Sequence, residues 1–396
     1  MKIGIIAEKF PPIVDGISVS VERIAMGLLD QNIDVCVATF DYQNFSDVKR
    51  MKPYVKKEFH KNRLNLYRIG PISEVMDLLK PGEMASERRN FTAFLEDICR
   101  KERFDILHAF FVVNSGFLST FVSKRLNVPL IVSVRGNDVS RDIFNYNKFA
   151  CIKWTLENAT RITFVNSATY ERTCDVFDIM DKSVVIRNSV QSSEITSLKK
   201  KGDDLAKTLK IPKDTKIIGY VGTLREKKGV QYLLEAFSQI CEERNDITLL
   251  LVGDIIKPYD NRVFQDYIRD KKLANNVIIT GFVPHEQVYL YLSIMDVICI
   301  PSIDDGMPNS LLEAMSIGKP VVASDFFSDI LTSQKNALLF RTYDAKDLKN
   351  KILKILDNPD LGKRIGDMAR ALIKKDYKVG RECREYVQLY REILYE

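Results

Sequence analysis

Two carboxylates eight positions apart, Asp305 and Glu313, stand in the segment PSIDDGMPNSLLEAMSIGKPVVAS, which begins at Pro301. The pattern predicts a strand that ends before Pro301, a tight turn, and a helix that begins near Asn309. Asp305 then lies in the turn and Glu313 lies about one helical turn beyond the helix start, with free backbone N–H groups between them. This arrangement suits a phosphate or the hydroxyls of a sugar. The alternative is a capping box, in which Ser310 and Glu313 satisfy the helix start.

A second group of charged residues follows a predicted strand in GYVGTLREKKGVQYLLEAF, which begins at Gly219. Arg225, Lys227 and Lys228 lie in the loop between that strand and the next helix. Cations in a loop after a parallel strand are placed to meet a diphosphate. A solvated basic turn is the alternative for each residue taken singly, whereas the loop as a unit predicts phosphate binding.

Further candidates follow predicted strands in the first half of the chain. Gly16 precedes the first helix and allows the backbone to approach an anion. Arg135 and Asp138 follow the buried strand of VPLIVSVRGNDVS, where they form either a site or only an ion pair within the loop. His108 lies in the apolar run FDILHAF and is either a site residue or a hydrogen-bonded core histidine.

Several motifs of other chemistries are absent from the 396 residues, namely G-x-G, G-x-x-x-x-G-K-[ST], H-E-x-x-H and G-x-S-x-G. These absences weigh against dehydrogenase, ATPase, metallohydrolase and serine-hydrolase activities. No D-x-D pair occurs either, so the commonest sequence indication of a carboxylate-held metal at a sugar-nucleotide site is missing. The sequence therefore predicts no metal and no bound cofactor.

The composition is that of a globular protein, with 45% hydrophobic residues, 28% charged residues and a formal net charge of +6. This modest charge permits an anionic partner without requiring one. The seven cysteines are scattered singly, which favours a reducing compartment. No apolar run approaches the ~18 residues of a membrane span, and the first residues lack a signal-peptide pattern. We expect a cytoplasmic protein, or one held at the cytoplasmic face of a membrane.

The elements that would position these residues alternate along the chain. Short apolar strands are predicted at residues 2–7, 35–39, 106–109, 129–134, 162–165 and 184–186, and again at 217–221, 248–252, 277–280, 297–300 and 320–323. Helical spacing lies between many of them, as in parallel sheets covered on both faces.

The fold class predicted from this alternation is α/β, with two doubly wound, Rossmann-like domains facing each other across a cleft. We expect domains at residues 1–190 and 191–375, joined near the polar, lysine-rich stretch 191–215. Residues 376–396 are predicted to form a helix that crosses back to the first domain. Ligands of such sheets bind beyond the carboxyl ends of the strands, where the charged motifs lie.

Taken together, these segments resemble the family 4 glycosyltransferases, which have the two-domain GT-B architecture. The resemblance covers nearly the whole chain and is carried by FPPIVDG, VRGND, GTLREKKG, ITGFVP and DDGMPNSLLEAMSIGKPVVAS. The last segment is similar to the family's E-x7-E motif, with Asp305 in place of the first glutamate and Glu313 as the second. Asp305 is one methylene shorter than that glutamate, which is expected to affect donor choice.

The resemblance implies a role for each matching residue. Glu313 would hydrogen-bond the nucleotide ribose, and Asp305 would hold hydroxyls of the donor sugar. Lys228, helped by Arg225, would neutralise the diphosphate, and Gly16 would bring backbone amides to it from the other domain. The remaining implied donor contacts are Gly306, Met307, Pro308, Asn309, Ser310 and Leu311 in the turn and helix start, and Phe282 and Val283 beside the base.

Two positions depart from the family pattern. Thr223 stands where the family's G-R-L-x-x-x-K-G loop often has arginine, and Arg225 is the candidate to supply that charge. Arg135 stands where many members have histidine. The residue that faces the reacting sugar on the acceptor side is therefore Arg135, Asp138 or His108.

The resemblance implies a retaining, metal-independent hexosyltransferase-type glycosyltransferase (EC 2.4). It would move a sugar from a UDP- or GDP-sugar to a glycan or lipid-linked acceptor, in bacterial surface polysaccharide biosynthesis. Since no carboxylate is recognised as a nucleophile, front-face attack guided by the leaving diphosphate is the expected route. The alternatives are a sugar-nucleotide epimerase, which shares the architecture, and a non-catalytic nucleotide-sugar-binding subunit of another transferase.

One basic segment, KRMKPYVKKEFHKNR from Lys49 to Arg63, carries seven Lys or Arg residues against one Glu. Met51, Tyr54 and Phe59 are interspersed among the charges. This pattern predicts either a contact with an anionic membrane near a lipid-linked acceptor or a solvated charged loop. No recognition module accompanies the charge, so no nucleic-acid partner is expected.

Overall fold

The protein is described by a computed structural model that covers residues 1–13, 15–74, 81–191, 199–255 and 258–395. Two compact units are present. Unit 1 comprises Met1–Asn188 and Val379–Glu396, and unit 2 comprises Ser189–Lys378. Part of the predicted linker, residues 192–198, lies outside the described residues.

Each unit contains one β-sheet, and the described residues hold fourteen strands. The strands are β1 Lys2–Ala7, β2 Asp34–Gln43, β3 Tyr54–His60, β4 Leu64–Ser73, β5 Ile106–Phe110, β6 Leu130–Val134, β7 Arg161–Phe164, β8 Ser183–Val185, β9 Lys216–Val221, β10 Ile247–Val252, β11 Val277–Ile279, β12 Val297–Ile300, β13 Val321–Ser324 and β14 Leu338–Phe340.

Helices alternate with most of these strands. The helices are α1 Gly16–Leu29, α2 Phe45–Val48, α3 Pro81–Glu102, α4 Phe117–Leu126, α5 Asn137–Ser140, α6 Tyr146–Asn158, α7 Ser167–Cys174, α8 Lys199–Thr208, α9 Val230–Cys241, α10 Pro258–Asp270, α11 His285–Ile294, α12 Asn309–Ser316, α13 Ala345–Leu356, α14 Pro359–Asp376 and α15 Val379–Tyr395.

The sheet of unit 1 has the strand order β3-β4-β2-β1-β5-β6-β7-β8. Its neighbouring strands are parallel except β3 and β4, which pair antiparallel with Tyr54 opposite Gly70. Strands β3 and β4 were not predicted from the sequence. Strand β3 is an edge strand whose side chains are mostly exposed and therefore lack the apolar signal of a buried strand, a reason that does not apply to the mostly buried β4.

Both faces of this sheet are covered. Ile5 of β1 packs in a cluster with Tyr386 and Tyr390 of α15, whereas the next residue, Ile6, packs in a cluster with Phe91 of α3. Successive side chains of a strand point to opposite faces, so both are buried only when helices lie on each side. The nearly continuous apolar strands of the sequence reflect this double covering.

The sheet of unit 2 has the strand order β11-β10-β9-β12-β13-β14, and all its neighbouring strands are parallel. Strand β14 was not predicted, because a strand of three residues is too short to show a recognisable run of apolar side chains. The chain order reverses between β9 and β12, which are neighbours with Ile298 opposite Gly219. In an open α/β sheet this reversal opens a crevice at the carboxyl ends of the strands.

Candidate active site

The loops after β9 and β12 are bonded to each other in unit 2. Residues 222–229 form the first loop and residues 301–308 form the second. The backbone N–H of Ile303 donates to the carbonyl oxygen of Lys227 at 3.0 Å, which ties the two loops together. The two charged motifs of the sequence therefore meet at one place.

Gly229 makes this close approach possible. Its φ is +69°, in the left-handed region that favours glycine. A Cβ added to Gly229 would lie 1.9 Å from the carbonyl oxygen of Pro301. Any other residue would be strained here and would push the second loop away.

An ion pair between Lys228 and Asp305 crosses from one loop to the other. The Lys228 ammonium contacts Oδ2, while Oδ1 of the same carboxylate accepts the backbone N–H of Gly306 at 3.0 Å. The two side chains are 21% and 15% exposed, so the pair lies at the wall of the site rather than in the core. The ion pair thus joins Lys228 of the first charged motif to Asp305 of the second.

The charge state of this pair follows from burial and from neighbouring charges. Burial raises the pKa of Asp305, but the ammonium groups of Lys228 and Lys227 outweigh this effect, and the pKa lies below its ordinary value. Burial lowers the pKa of Lys227, and Asp305 opposes that change. Asp305 is therefore ionised at neutral pH and accepts hydrogen bonds only.

Arg225 precedes the short 3-10 turn Glu226–Lys228 in an extended conformation. Its Nε is buried and has no hydrogen-bond partner in the described part of the chain. A buried N–H without a partner is costly, and an anion bound beside it would satisfy it. Thr223 carries no charge, and its carbonyl oxygen accepts the Tyr220 hydroxyl at 2.9 Å. Arg225 is thus placed to supply charge in this loop.

Helix α12 begins after the second loop, with Pro308 as its N-cap and Asn309 as its first residue. Pro308 provides no side-chain cap, and Ser310 lies inside the helix rather than at its N-cap, so the capping box considered for Ser310 and Glu313 is not formed. The Glu313 carboxylate consequently does not accept hydrogen bonds from the free backbone N–H groups at the start of its own helix.

The residues of the second loop and the start of α12 that are predicted to contact the donor differ in how deeply they are buried. Leu311 is a core residue, and its N–H donates to the Pro308 carbonyl oxygen at 3.2 Å. The buried members of the set are Gly306, Met307 and Leu311, and the half-buried members are Pro308, Asn309 and Ser310. The half-buried residues are better placed than Leu311 to contact a ligand.

Glu313 forms a hydrogen bond that the sequence did not reveal. Its Oε1 lies 2.7 Å from Nε2 of His285, the first residue of α11. The Glu313 side chain is 5% exposed and that of His285 is 35% exposed. His285 was not predicted as a site residue, because nothing in HEQ, 28 residues before Glu313, indicates that the two helices meet.

The loop after β11 carries the two predicted base contacts. The Phe282 side chain is 60% exposed, and Val283 is half-buried. Both precede His285 in the chain, so the segment that presents an aromatic ring also leads to the partner of Glu313. An exposed ring of this kind is able to lie against a flat ligand.

In unit 1, Gly16 is the exposed first residue of α1. The helix start already has an anion, because Oδ1 of Asp15 accepts the backbone N–H groups of Ile17 at 3.0 Å and Ser18 at 2.9 Å. Asp15 is in turn paired with Lys9 at 3.3 Å. An approaching phosphate would therefore compete with this carboxylate, and the role predicted for Gly16 stays a prediction.

Arg135 and Asp138 follow β6, and each has its own partner. The Asp138 carboxylate is fully buried and accepts the backbone N–H groups of Gly136 at 2.8 Å and of Arg135 at 3.1 Å. Burial raises the pKa of Asp138 to about 6, against the effect of these hydrogen bonds. The Arg135 guanidinium donates to Oδ1 of Asn188 at 2.7 Å and lies over the Phe110 ring. Asp138 thus shapes the loop that presents Arg135.

His108 lies inside unit 1, with no exposed surface. Its Nδ1 is 2.8 Å from the Tyr390 hydroxyl and its Nε2 is 2.8 Å from the Ser133 hydroxyl. Burial, followed by the positive charge of Arg135, lowers the pKa of His108 to about 3. The geometry of His108 therefore favours a structural role, as does that of Asp138.

The basic segment from Lys49 to Arg63 forms much of the β3–β4 hairpin rather than an irregular loop. Phe59 is 66% exposed, as a membrane contact requires. Five of the seven cations, however, have acidic partners within unit 1. These pairs are Lys49–Glu83, Lys56–Asp41, Lys57–Glu102, Lys61–Glu22 and Arg63–Asp30. The membrane contact stays a prediction. Because most of the positive charges in this segment are paired with carboxylates, fewer of them are available to attract anionic lipids than the sequence indicated.

No helix among the described residues is both long enough and apolar enough to cross a bilayer.

Two family models match the chain. Residues 14–194 match the model described as Glycosyltransferase Family 4, and residues 202–372 match the model described as Glycosyl transferases group 1. The first match lies largely in unit 1 and the second lies in unit 2.

Curated relatives match over long stretches at low identity. An uncharacterized glycosyltransferase of Methanocaldococcus jannaschii is 23% identical over 99% of this chain and 98% of its own length. The putative teichuronic acid biosynthesis glycosyltransferase TuaC of Bacillus subtilis is 24% identical over 79% of this chain and 78% of its own length.

Solved structures share the fold. Sucrose-phosphate synthase from Thermosynechococcus elongatus superposes with a TM-score of 0.79 at 20% identity, over 100% of this chain and 99% of that one. Anabaena HepE in complex with UDP and glucose superposes with a TM-score of 0.78 at 17% identity, over 99% of this chain and 100% of that one. The fold is therefore of the GT-B class, with two Rossmann-like units.

Proposed function

We propose, since the chain belongs to the family 4 glycosyltransferases, that it transfers a hexosyl group from a UDP- or GDP-sugar to a glycan or lipid-linked acceptor. The sugar keeps its configuration at the anomeric carbon. The donor binds at the loops after β9 and β12 in unit 2.

The observation that carries this proposal is the ion pair between Lys228 and Asp305, together with Glu313 on the helix that follows. A cation and a carboxylate pair at the carboxyl ends of two parallel strands, and a second carboxylate, Glu313, lies on the helix that follows. A sugar nucleotide presents anionic phosphates and sugar hydroxyls, which require these two kinds of partner. In the proposed complex Lys228 meets the diphosphate, Asp305 the sugar hydroxyls and Glu313 the ribose.

The chemical difficulty of the transfer is the charge that grows on the leaving diphosphate. The Lys228 ammonium and the Arg225 guanidinium supply positive charge without a metal ion. The buried Nε of Arg225, which has no partner in the described residues, supports this role because an oxygen of the diphosphate would satisfy it. Loss of one such group is expected to lower the rate roughly a hundredfold.

The reaction breaks the bond between the anomeric carbon and the phosphate oxygen, and it forms a bond from that carbon to an acceptor hydroxyl oxygen. The hydroxyl proton passes to the departing phosphate, so acceptor and leaving group share one face of the sugar. This front-face route retains the configuration and needs no carboxylate nucleophile. Arg135 of unit 1 is the preferred acceptor-side residue, since His108 is enclosed in the core.

We further propose a cytoplasmic role in polysaccharide biosynthesis. The seven free cysteines support a reducing compartment. The name of the Bacillus subtilis relative, which refers to teichuronic acid biosynthesis, supports a surface polysaccharide as the product.

The test is release of nucleoside diphosphate in the presence of EDTA from a panel of UDP-, GDP- and ADP-sugars. Wild type is compared with Glu313→Gln, which keeps the side-chain volume, and with Glu286→Gln, an exposed control in the first turn of α11. We expect slow hydrolysis of one donor, which is lost in Glu313→Gln and kept in Glu286→Gln.

Other outcomes separate the alternatives. Conversion of the donor to an isomeric sugar nucleotide, without nucleoside diphosphate release, would indicate an epimerase. Tight binding without turnover across a panel of glycan and lipid-linked acceptors would indicate a non-catalytic binding subunit. Failure to bind any sugar nucleotide would overturn the proposal, and activity only after EDTA is replaced by Mg²⁺ or Mn²⁺ would overturn its metal-independent part.

A further inference from the structure

The hydrogen bond between His285 and Glu313 joins two helices of unit 2. His285 opens α11, directly after the loop that carries Phe282, and Glu313 lies in α12. Nε2 of His285 lies 2.7 Å from Oε1 of Glu313, a normal length for a strong hydrogen bond to a carboxylate. The imidazole therefore reaches the carboxylate from outside the helix that carries it.

Burial explains why Glu313 needs such a partner. Its side chain is only 5% exposed, and a buried carboxylate without hydrogen bonds is strongly unfavourable. Because α12 has no side-chain cap and Glu313 does not bond the helix start, the imidazole supplies the donor that local sequence does not. The bond to His285 uses Oε1 of the carboxylate.

His285 itself is not part of the packing that holds α11. The helix is anchored by Val288 and Leu292, which are buried, whereas His285 is 35% exposed on its side chain. Its chain neighbours Pro284 and Glu286 are exposed. Truncation of the imidazole should therefore leave the fold of unit 2 intact and remove the bond to Glu313.

We propose that His285 is a positioning residue for the donor nucleotide, which orients the Glu313 carboxylate so that Oε2 receives the ribose hydroxyls. This inference rests on the proposed function, in which Glu313 binds the ribose. A carboxylate held in one rotamer before binding does not lose side-chain freedom when the nucleotide arrives. His285 consequently strengthens binding of the nucleoside diphosphate and leaves the bond-breaking step unchanged.

The test is a double-mutant cycle on nucleotide affinity, with UDP, GDP and ADP as probes in isothermal titration calorimetry. The four proteins are wild type, His285→Ala, Glu313→Gln and the double variant. We expect His285→Ala to weaken binding of the preferred diphosphate about tenfold, a factor typical of a lost charge-assisted hydrogen bond. In the Glu313→Gln background the same change should cost less than about twofold, because coupled residues are not additive.

Two further variants separate positioning from a general structural effect. His285→Gln retains an N–H donor and should restore most of the affinity. His60→Ala removes a comparable bond in unit 1, where Nε2 of His60 lies 2.6 Å from Oε1 of Glu22, and should leave nucleotide affinity unchanged. Once a donor is found, His285→Ala should raise its KM and leave kcat within about twofold, as expected for loss of uniform binding.

Each outcome decides one of the two proposals. Unchanged affinity in His285→Ala, or equal losses in the wild-type and Glu313→Gln backgrounds, would overturn the positioning role and leave the proposed function standing. Failure of wild type to bind any of the three diphosphates, or of Glu313→Gln to weaken binding, would overturn the donor site itself and the positioning role with it.

Discussion

Lys228 and Asp305 are 77 residues apart in the chain and form an ion pair between the loops that follow β9 and β12. The pair joins the two charged motifs of the sequence into one wall of a site. It also holds Asp305 ionised, because the ammonium groups of Lys228 and Lys227 together outweigh its burial. In the proposed donor site, a cation and an acceptor are thus fixed side by side before a ligand arrives.

Replacement of Lys228 should impair transfer far more than stability. We expect Lys228→Ala to lower kcat/KM for the donor roughly a hundredfold, because charge on the leaving diphosphate is no longer neutralised. Lys216→Ala is the matched control, since Lys216 pairs with Asp296 at 3.7 Å at the other end of β9. The measurement is initial-rate kinetics with the donor identified in the hydrolysis assay. Equal rates for the two variants would contradict the role given to Lys228.

Gly229 is expected to tolerate no side chain. Gly229→Ala should destabilise unit 2 by more than about 2 kcal/mol, because it combines a left-handed φ with a clash against Pro301. Gly281→Ala isolates the first effect, since Gly281 has a φ of +71° but open space around an added Cβ, and it should cost about 1 kcal/mol. Urea unfolding followed by far-UV circular dichroism measures both. Similar losses in the two variants would show that contact with Pro301 is unimportant.

His108 is expected to make unit 1 sensitive to acid. Its pKa is about 3 in the folded protein, against an ordinary value near 6.5. Between these two pH values the imidazole is protonated in the unfolded chain and neutral in the folded chain. The stability that the neutral imidazole supports is complete above pH 6.5 and is lost as the pH falls toward 3. From pH 7 to pH 5 wild type should lose about 2 kcal/mol more than His108→Gln.

Fluorescence of Trp154, the single tryptophan, reports the urea unfolding of unit 1 in that experiment. The raised pKa of Asp138 acts in the opposite direction, because its folded form gains stability as the pH falls, but it is present in both proteins and cancels in the difference. Ser133→Ala, which removes a hydrogen bond and no titrating group, should keep the wild-type pH dependence. Identical pH dependence in wild type and His108→Gln would refute the assignment.

The ion pair between Arg23 and Glu382 is expected to hold α15 on unit 1. Arg23 Nε lies 3.2 Å from Oε2 of Glu382, whose side chain is fully buried. Arg23→Met removes the Arg23 cation from that buried carboxylate and should lower the free energy of unfolding by about 3–5 kcal/mol, again measured by Trp154 fluorescence in urea. Arg370→Met breaks an exposed pair with Asp367 and should cost less than about 1 kcal/mol. A small loss in Arg23→Met would mean that the Arg23–Glu382 pair does not hold α15 on unit 1.

Particular elements show how far the sequence could predict the fold. Strands β1 and β12 have the predicted bounds, because apolar runs buried on both faces leave a strong local pattern. Strand β3 was missed because an exposed edge strand with several charged residues has no such pattern, whereas β4 is mostly buried and was missed without that reason. The motif residues Lys228, Asp305 and Glu313 were recognised from spacing and family resemblance, whereas His285 belongs to no motif in the sequence analysis.

The sequence by itself determined most of the strands and which loops carry charge, since these depend on the pattern of near neighbours. Only the tertiary structure decided the partners: Lys228 with Asp305, His285 with Glu313, and His108 with the hydroxyls of Ser133 and Tyr390. Each pair joins residues from 25 to 282 positions apart. Such contacts are set by the order of strands in a sheet and by the docking of helices on it, for which local spacing carries no information.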